Sequence, residues 1–170
     1  MNIKLWDLIN DENDMPKLHV IKEMEYELDG PELVHPYDTI LLLCKISKMH
    51  RSHMENVYLA TYNHFGDLIG FFHIATGHMD KVESSSRIKA TCILLSGGYS
   101  YEIFHNHPVD DQQPSDGDKT SSLLEKALAA YLEVDYLTDY VVTKGGWTDV
   151  NTEEEYRFNE SELAFINEEV

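Results

Sequence analysis

The chain reads as an α/β domain, a mixed β-sheet with helices packed on it. Three observations predict this. Runs rich in Val, Ile, Tyr, Thr and Phe alternate along the chain with stretches at helical spacing. Their order is strand, helix, two strands, helix, strand, helix, two strands, the pattern of a mixed sheet covered by helices. The length of 170 residues, with 42% apolar and 26% charged residues, suits one domain with a hydrophobic core.

The elements follow in order. Residues 1–15 (MNIKLWDLINDENDM) read as a short leader of one or two amphipathic turns. KLHVIKEMEYEL (17–28) alternates as a strand does, and DGPE breaks it. HPYDTILLLCKISKM opens on Pro36 and Asp38 and carries Ile40, Leu41, Leu43, Cys44 and Ile46 at helical spacing, which predicts a helix over 37–49. NVYLATYN (56–63) and DLIGFFHIATG (67–77), joined through Asn63, Gly66 and Asp67, read as a hairpin. SSSRIKATCILLSGG predicts a helix over 86–96, stopped by Gly97 and Gly98. SYEIFHN (100–106) reads as a strand, and the stretch from Ser115 to about residue 132 as a helix. YLTDYVVTK and WTDV form a closing hairpin across Gly145 and Gly146. Tyr58, Tyr62, Phe65, Phe71 and Phe72 are expected in the core. Cys44 and Cys92 sit in apolar runs and read as small buried hydrophobes; no disulfide framework or CxxC pair is suggested.

Acidic residues outnumber basic ones 31 to 13, and the net charge of −18 opposes general attraction to nucleic acid or anionic membrane. The excess is uneven. From Asp149 onward eight carboxylates face Arg157 alone, which reads as a solvated, partly helical end or as a lure for a basic partner. The N-terminus has too short an apolar stretch for a signal peptide, and no segment approaches the ~18 apolar residues that would span a membrane. A soluble, cytoplasmic protein is expected.

The chemistry concentrates in FHNHPVDDQQPSDGDKT (104–120). Residues i and i+2 of a strand share a face, so His105 and His107 stand side by side, about 7 Å apart at the backbone. Pro108 ends the strand. SDGD is a helix start, so Asp118 comes from the first turn of the next helix, where the helix dipole favours a carboxylate. Two histidines and an aspartate make a three-ligand zinc site with a fourth position for water, whose pKa zinc would lower to about 7. The plain alternative is a polar loop followed by a Ser-x-x-Asp capping box, Ser115 and Asp118 doing no more than starting a helix.

His105-Asn106-His107-Pro108, six residues, Ser115, two residues and Asp118 match in full the signature of the JAMM (MPN+) zinc metalloproteases, in the HNHP form typical of RadC-like proteins. ENVYLATYNHFGDLIGFFHIATG resembles the RadC-like hairpin, RIKATCILLSGGYSYEIFHNHP its helix and strand, and YLTDYVVTKGGW its closing strands. The resemblance covers residues 36–150, leaving 1–35 as leader and first strand and 151–170 as an acidic tail. It implies a JAMM/MPN-like (cytidine-deaminase-like) fold and zinc (Zn2+) at His105, His107 and Asp118. It also implies Ser115 as a hydrogen-bonding group near the metal-bound water or the oxyanion.

The resemblance also implies a glutamate as general base on the hairpin strand, four residues before a glycine. Here that glycine is Gly77, and the position four residues before it holds His73 in place of the glutamate. Three roles are open to His73: a further ligand closing a structural site, a general base, or a core histidine facing away. Glu102 does not substitute, being odd-spaced from His105 on its strand. His78 reads as a turn histidine that could line the cleft. Asp110 and Asp111 make the mouth acidic, which suits a basic or amide-bearing peptide.

Three functions follow as expectations. The first is a zinc hydrolase of peptide or isopeptide bonds. The second is a zinc-keeping pseudoenzyme that binds a protein partner. The third is a nucleic-acid role suggested by Lys45, Lys48 and Arg51 on one helix face. Against it stand the charge and the short stretch, about 35 residues, where full-length RadC proteins carry a helix-hairpin-helix region.

Overall fold

The computed structural model describes residues 1–26, 37–77 and 84–170. Among these residues eight strands form one mixed sheet. In chain order they are β1 (Asn2–Asn10), β2 (Pro16–Glu25), β3 (Asn56–Tyr62), β4 (Leu68–Thr76), β5 (Ser100–Asn106), β6 (Asp135–Val142), β7 (Gly146–Asp149) and β8 (Glu155–Arg157). Their spatial order is β2-β1-β4-β3-β5-β6-β7-β8. The pairs β1/β4 and β5/β6 are parallel and the others antiparallel. The helices are α1 (Tyr37–Ser47), α2 (Ser86–Ser96), α3 (Asp116–Leu132) and α4 (Glu160–Asn167).

Strand alternation sorts the side chains into two cores. On one face Leu5, Tyr58, Ala60, Phe71, Phe104 and Tyr140 pack with Ile40, Leu43 and Ile46 of α1 and Ile166 of α4. On the other, Val57, Leu59, Phe72, Tyr101 and Ile103 pack with Cys92 and Ile93 of α2 and Ala129 of α3. Both cysteines are buried and free. Burial raises both thiol pKa values, that of Cys92 to about 12. Gly97, at φ 70, ends α2 with its backbone N–H returned to Ile93 and Leu94. Gly146 lets β8 approach: a Cβ there would lie 1.9 Å from the Tyr156 carbonyl oxygen.

Three expectations change. The leader is a strand: Ile3 and Leu5 alternate into the core while β1 pairs along its length with β2, so period-2 packing prevails over the short helical reading. The tail is not simply solvated, because Phe158 and Ile166 are buried and β8 pairs with β7, past the expected boundary at residue 150. Phe65 is 78% exposed, at the tip of the β3–β4 turn beside Gly66, while Tyr58, Tyr62, Phe71 and Phe72 are core. The DGPE break, Pro36 and His78 lie outside the described residues. No helix among the described residues is long and apolar enough to cross a membrane.

Candidate metal centre

His105 ends its strand as the last but one residue of β5, and His107 follows it by two. Their Nε2 atoms lie 3.3 Å apart. Ser115 caps α3: its hydroxyl accepts from the Asp118 backbone N–H, and the Asp118 side chain accepts in return from the Ser115 backbone N–H. This box aims Asp118 back at the strand. Its Oδ1 lies 3.1 Å from His105 Nε2, and its Oδ2 lies 3.5 Å from His107 Nε2. Donors about 2.0–2.1 Å from a tetrahedral zinc stand roughly 3.3 Å from each other. The spacings of 3.1, 3.3 and 3.5 Å fit that triangle, so the donor set suits the ion.

The surroundings orient these groups. His107 Nδ1 lies 2.7 Å from the Asp111 carbonyl oxygen, which can only accept, so Nδ1 carries the proton and Nε2 turns its free side to the cluster. Burial works against charge on His107, but the Asp118 carboxylate and the Asp111 carbonyl outweigh it and raise the pKa. Burial likewise opposes charge on Asp118, yet hydrogen bonds from His105, His107 and Ser115 hold its carboxyl far below the usual range. The Ser115 hydroxyl also donates to Asp118 Oδ2 at 2.8 Å, so its proton faces the carboxylate.

The 105–118 connection is anchored at a distance. Gln112 is buried and donates to the Tyr156 carbonyl of β8 at 3.1 Å, and the Gln113 amide donates to Glu155. Lys119, in the first turn of α3, pairs with Glu153.

The structure brings Glu55, not His73, to the histidines. Glu55, His105 and His107 offer donor atoms all within 4.8 Å of one another. Glu55 lies just ahead of β3, two residues before Val57, which pairs with His105, so it emerges on the histidine face. His73 sits on β4, one strand further from β5, and shares a face with Phe71 rather than with Phe72. It packs against Tyr58, its Nδ1 lies 3.3 Å from Asp7, and its Nε2–H donates to the Thr76 hydroxyl, which in turn donates to Asn56. Of the three roles open to His73, its position matches the histidine that faces away. Glu102 does face the other side, where it accepts from Tyr62 and Tyr140.

The four groups line a pocket of about 640 Å³ together with Val57, Ile103, Asp111, Ser115 and Asp139. The expected basic helix face does not form, because α1 ends at Ser47, Lys48 turns left-handed at φ 58 and Arg51 follows in a short 3-10 turn, and all three cations are engaged. Lys45 pairs with Glu168 at 2.7 Å, Arg51 with Glu169 at 3.6 Å, and Lys48 donates to the carbonyls of Ile166 and Glu168.

The model of the RadC-like JAB domain family matches residues 35–155. A UPF0758 protein of Chlorobium phaeovibrioides (strain DSM 265 / 1930) is 24% identical over 136 residues, which cover 77% of this chain and 56% of that relative. The chain therefore spans little more than half the length of the curated relative it matches. The matched residues include both strands of the hairpin, both histidines, Ser115 and Asp118, and the chain belongs to the RadC-like JAB domain family.

Proposed function

We propose that the protein is a metal-dependent hydrolase of peptide or isopeptide bonds, with zinc held by His105, His107 and Asp118. The observation that carries this is the convergence of those three donors with the Glu55 carboxylate in one pocket. When bound, zinc supplies Lewis-acid polarisation of a carbonyl and acidifies water at neutral pH. Glu55 is the proton carrier: its carboxylate takes the proton of the attacking water and returns it to the departing nitrogen. Asp111 fixes the tautomer of His107, and Ser115 fixes the rotamer of Asp118. The acidic mouth favours basic or amide-bearing peptides. A nucleic-acid role draws no support from charge, because Lys45, Lys48 and Arg51 are engaged by residues 166–169.

Elemental analysis of the purified protein should give one zinc per chain, lost in His105→Ala. On a quenched fluorescent peptide joined through a lysine isopeptide bond, Glu55→Gln should keep its zinc and lose at least about 10²-fold in turnover. His73→Ala should leave turnover unchanged. Zinc bound in the wild type with no turnover above Glu55→Gln would overturn the hydrolase in favour of a zinc-keeping interaction module. No zinc even after its addition would overturn both.

A further inference from the structure

Among the described residues four carboxylates line the pocket: Glu55, Asp111, Asp118 and Asp139. No lysine or arginine is among the described residues lining it. Asp118 is served by His105, His107 and Ser115, and Glu55 stands with the histidines. Asp139 differs. It is only 3% exposed, and its Oδ1 is buried with no hydrogen-bond partner among the described residues. Asp139 pairs in register with Ile103 across the parallel β5/β6 ladder, and Ile103 shares a face with His105 two residues on. Ile103, His105 and Asp139 all line the pocket, so the carboxylate stands on the metal-site face at its inner wall. Nearby Lys89 is not available to it, being paired with Glu125 between α2 and α3. Burial pushes the Asp139 carboxyl up to about 7, outweighing the pull of His105, of a hydrogen bond from Tyr136 and of Lys89. A buried oxygen with no partner is costly unless something else supplies the donor.

We propose that the inner wall of this pocket is a binding subsite for a lysine-type ammonium group, anchored by Asp139. One unserved oxygen suits a compact ammonium, whereas a guanidinium fork is best matched by two. Val57 and Ile103, also in the lining, offer apolar surface to the methylene stem. As a statement about substrate this rests on the hydrolytic reading, since it names the side chain beside the bond that is cut. As a statement about binding it stands apart from turnover.

The test is an NMR titration of the zinc-supplemented protein with three probes: the N-acetyl N-methylamides of lysine, norleucine and arginine. None carries an isopeptide bond, so a failure of hydrolysis leaves the readout intact. The lysine probe should bind at least about tenfold more tightly than the norleucine probe and more tightly than the arginine probe. It should shift the backbone signals of Ile103 and of Thr138–Tyr140. In Asp139→Asn, which keeps the shape of the side chain, the preference for lysine over norleucine should shrink to about twofold or less. Equal wild-type affinity for lysine and norleucine would overturn the subsite, as would no binding of either. A preference that survives in Asp139→Asn would assign it to the mouth carboxylates and overturn the role of Asp139. Arginine bound as tightly as lysine would overturn the ammonium assignment. The wild-type comparison decides by itself should the variant fail to fold.

Discussion

Glu102 and Asp139 stand on neighbouring strands, β5 and β6, and both are buried, yet they face opposite sides of the sheet. Glu102 is fully enclosed, with the Tyr62 hydroxyl donating to one carboxylate oxygen at 2.5 Å and the Tyr140 hydroxyl to the other at 3.5 Å. Asp139 keeps an oxygen without a donor among the described residues and lies against the pocket. The difference separates two uses of a buried acid. One is satisfied by its own protein and belongs to the core architecture; the other leaves an interaction open at the site.

Glu102 should be the costlier of the two acids to lose. Glu102→Ala removes a buried side chain, takes the acceptor from the Tyr140 hydroxyl and leaves Tyr62 the longer bond to Thr39, so denaturant unfolding should show a loss of about 3–4 kcal/mol. A loss below about 1 kcal/mol would mean that the tyrosines find other partners and that the enclosure is incidental.

Asp139 should behave in the opposite sense. Its carboxyl is raised from 3.8 to about 7 in the folded chain, so between those values the folded state holds a proton that the unfolded state has released. Stability therefore falls as pH rises from 3.8 to about 7, and the loss is complete above that. Asp139→Asn lacks this slope. In chelator-treated protein it should match the wild type near pH 4 and exceed it by up to about 4 kcal/mol at pH 8. Parallel stability curves for the two proteins would show that Asp139 finds a donor after all.

The two tyrosines should differ on a smaller scale. Tyr62→Phe removes the shorter bond and should cost about 1–2 kcal/mol, while Tyr140→Phe, at the longer distance, should cost less than about 1 kcal/mol. Equal costs in thermal unfolding would place the two donors on the same footing.

Much of this architecture is legible in the sequence because local signals agree with tertiary packing. Helix α2 and strand β5 fall where a serine cluster, an apolar run, a glycine pair and a short β-branched and aromatic run put them. His105, His107 and Asp118 are legible because one motif carries them on adjacent elements. Glu55 is not, since its place depends on which hairpin strand neighbours β5. The sheet puts β3 there and β4 one strand beyond, a long-range pairing that no local pattern encodes. Once β3 is the neighbour, two-residue parity puts Glu55 and Val57 on the histidine face, whereas His73 turns away. β1 escapes notice for a related reason. Asp7 falls on the face of Ile3 and Leu5 and breaks its alternation, and the turn at Asp11–Met15 that returns the chain to β2 is built from the Asp11 side chain, which accepts from the N–H groups of Asn13 and Met15.

The connection between His107 and Asp118 hangs from the far edge of the sheet. Gln112 holds it to the backbone of β8 and Gln113 to Glu155; past β8, α4 lies on α1 and the chain beyond it is clasped by Lys45 and Lys48. That suspension restricts how far the Asp118 carboxylate can wander from the two imidazoles, so in the language of effective concentration the C-terminal segment sets how often the third donor is present. Residues 155–168 thereby govern the site's readiness without contributing an atom to it. Loosening them would dilute the carboxylate while leaving every donor chemically unchanged.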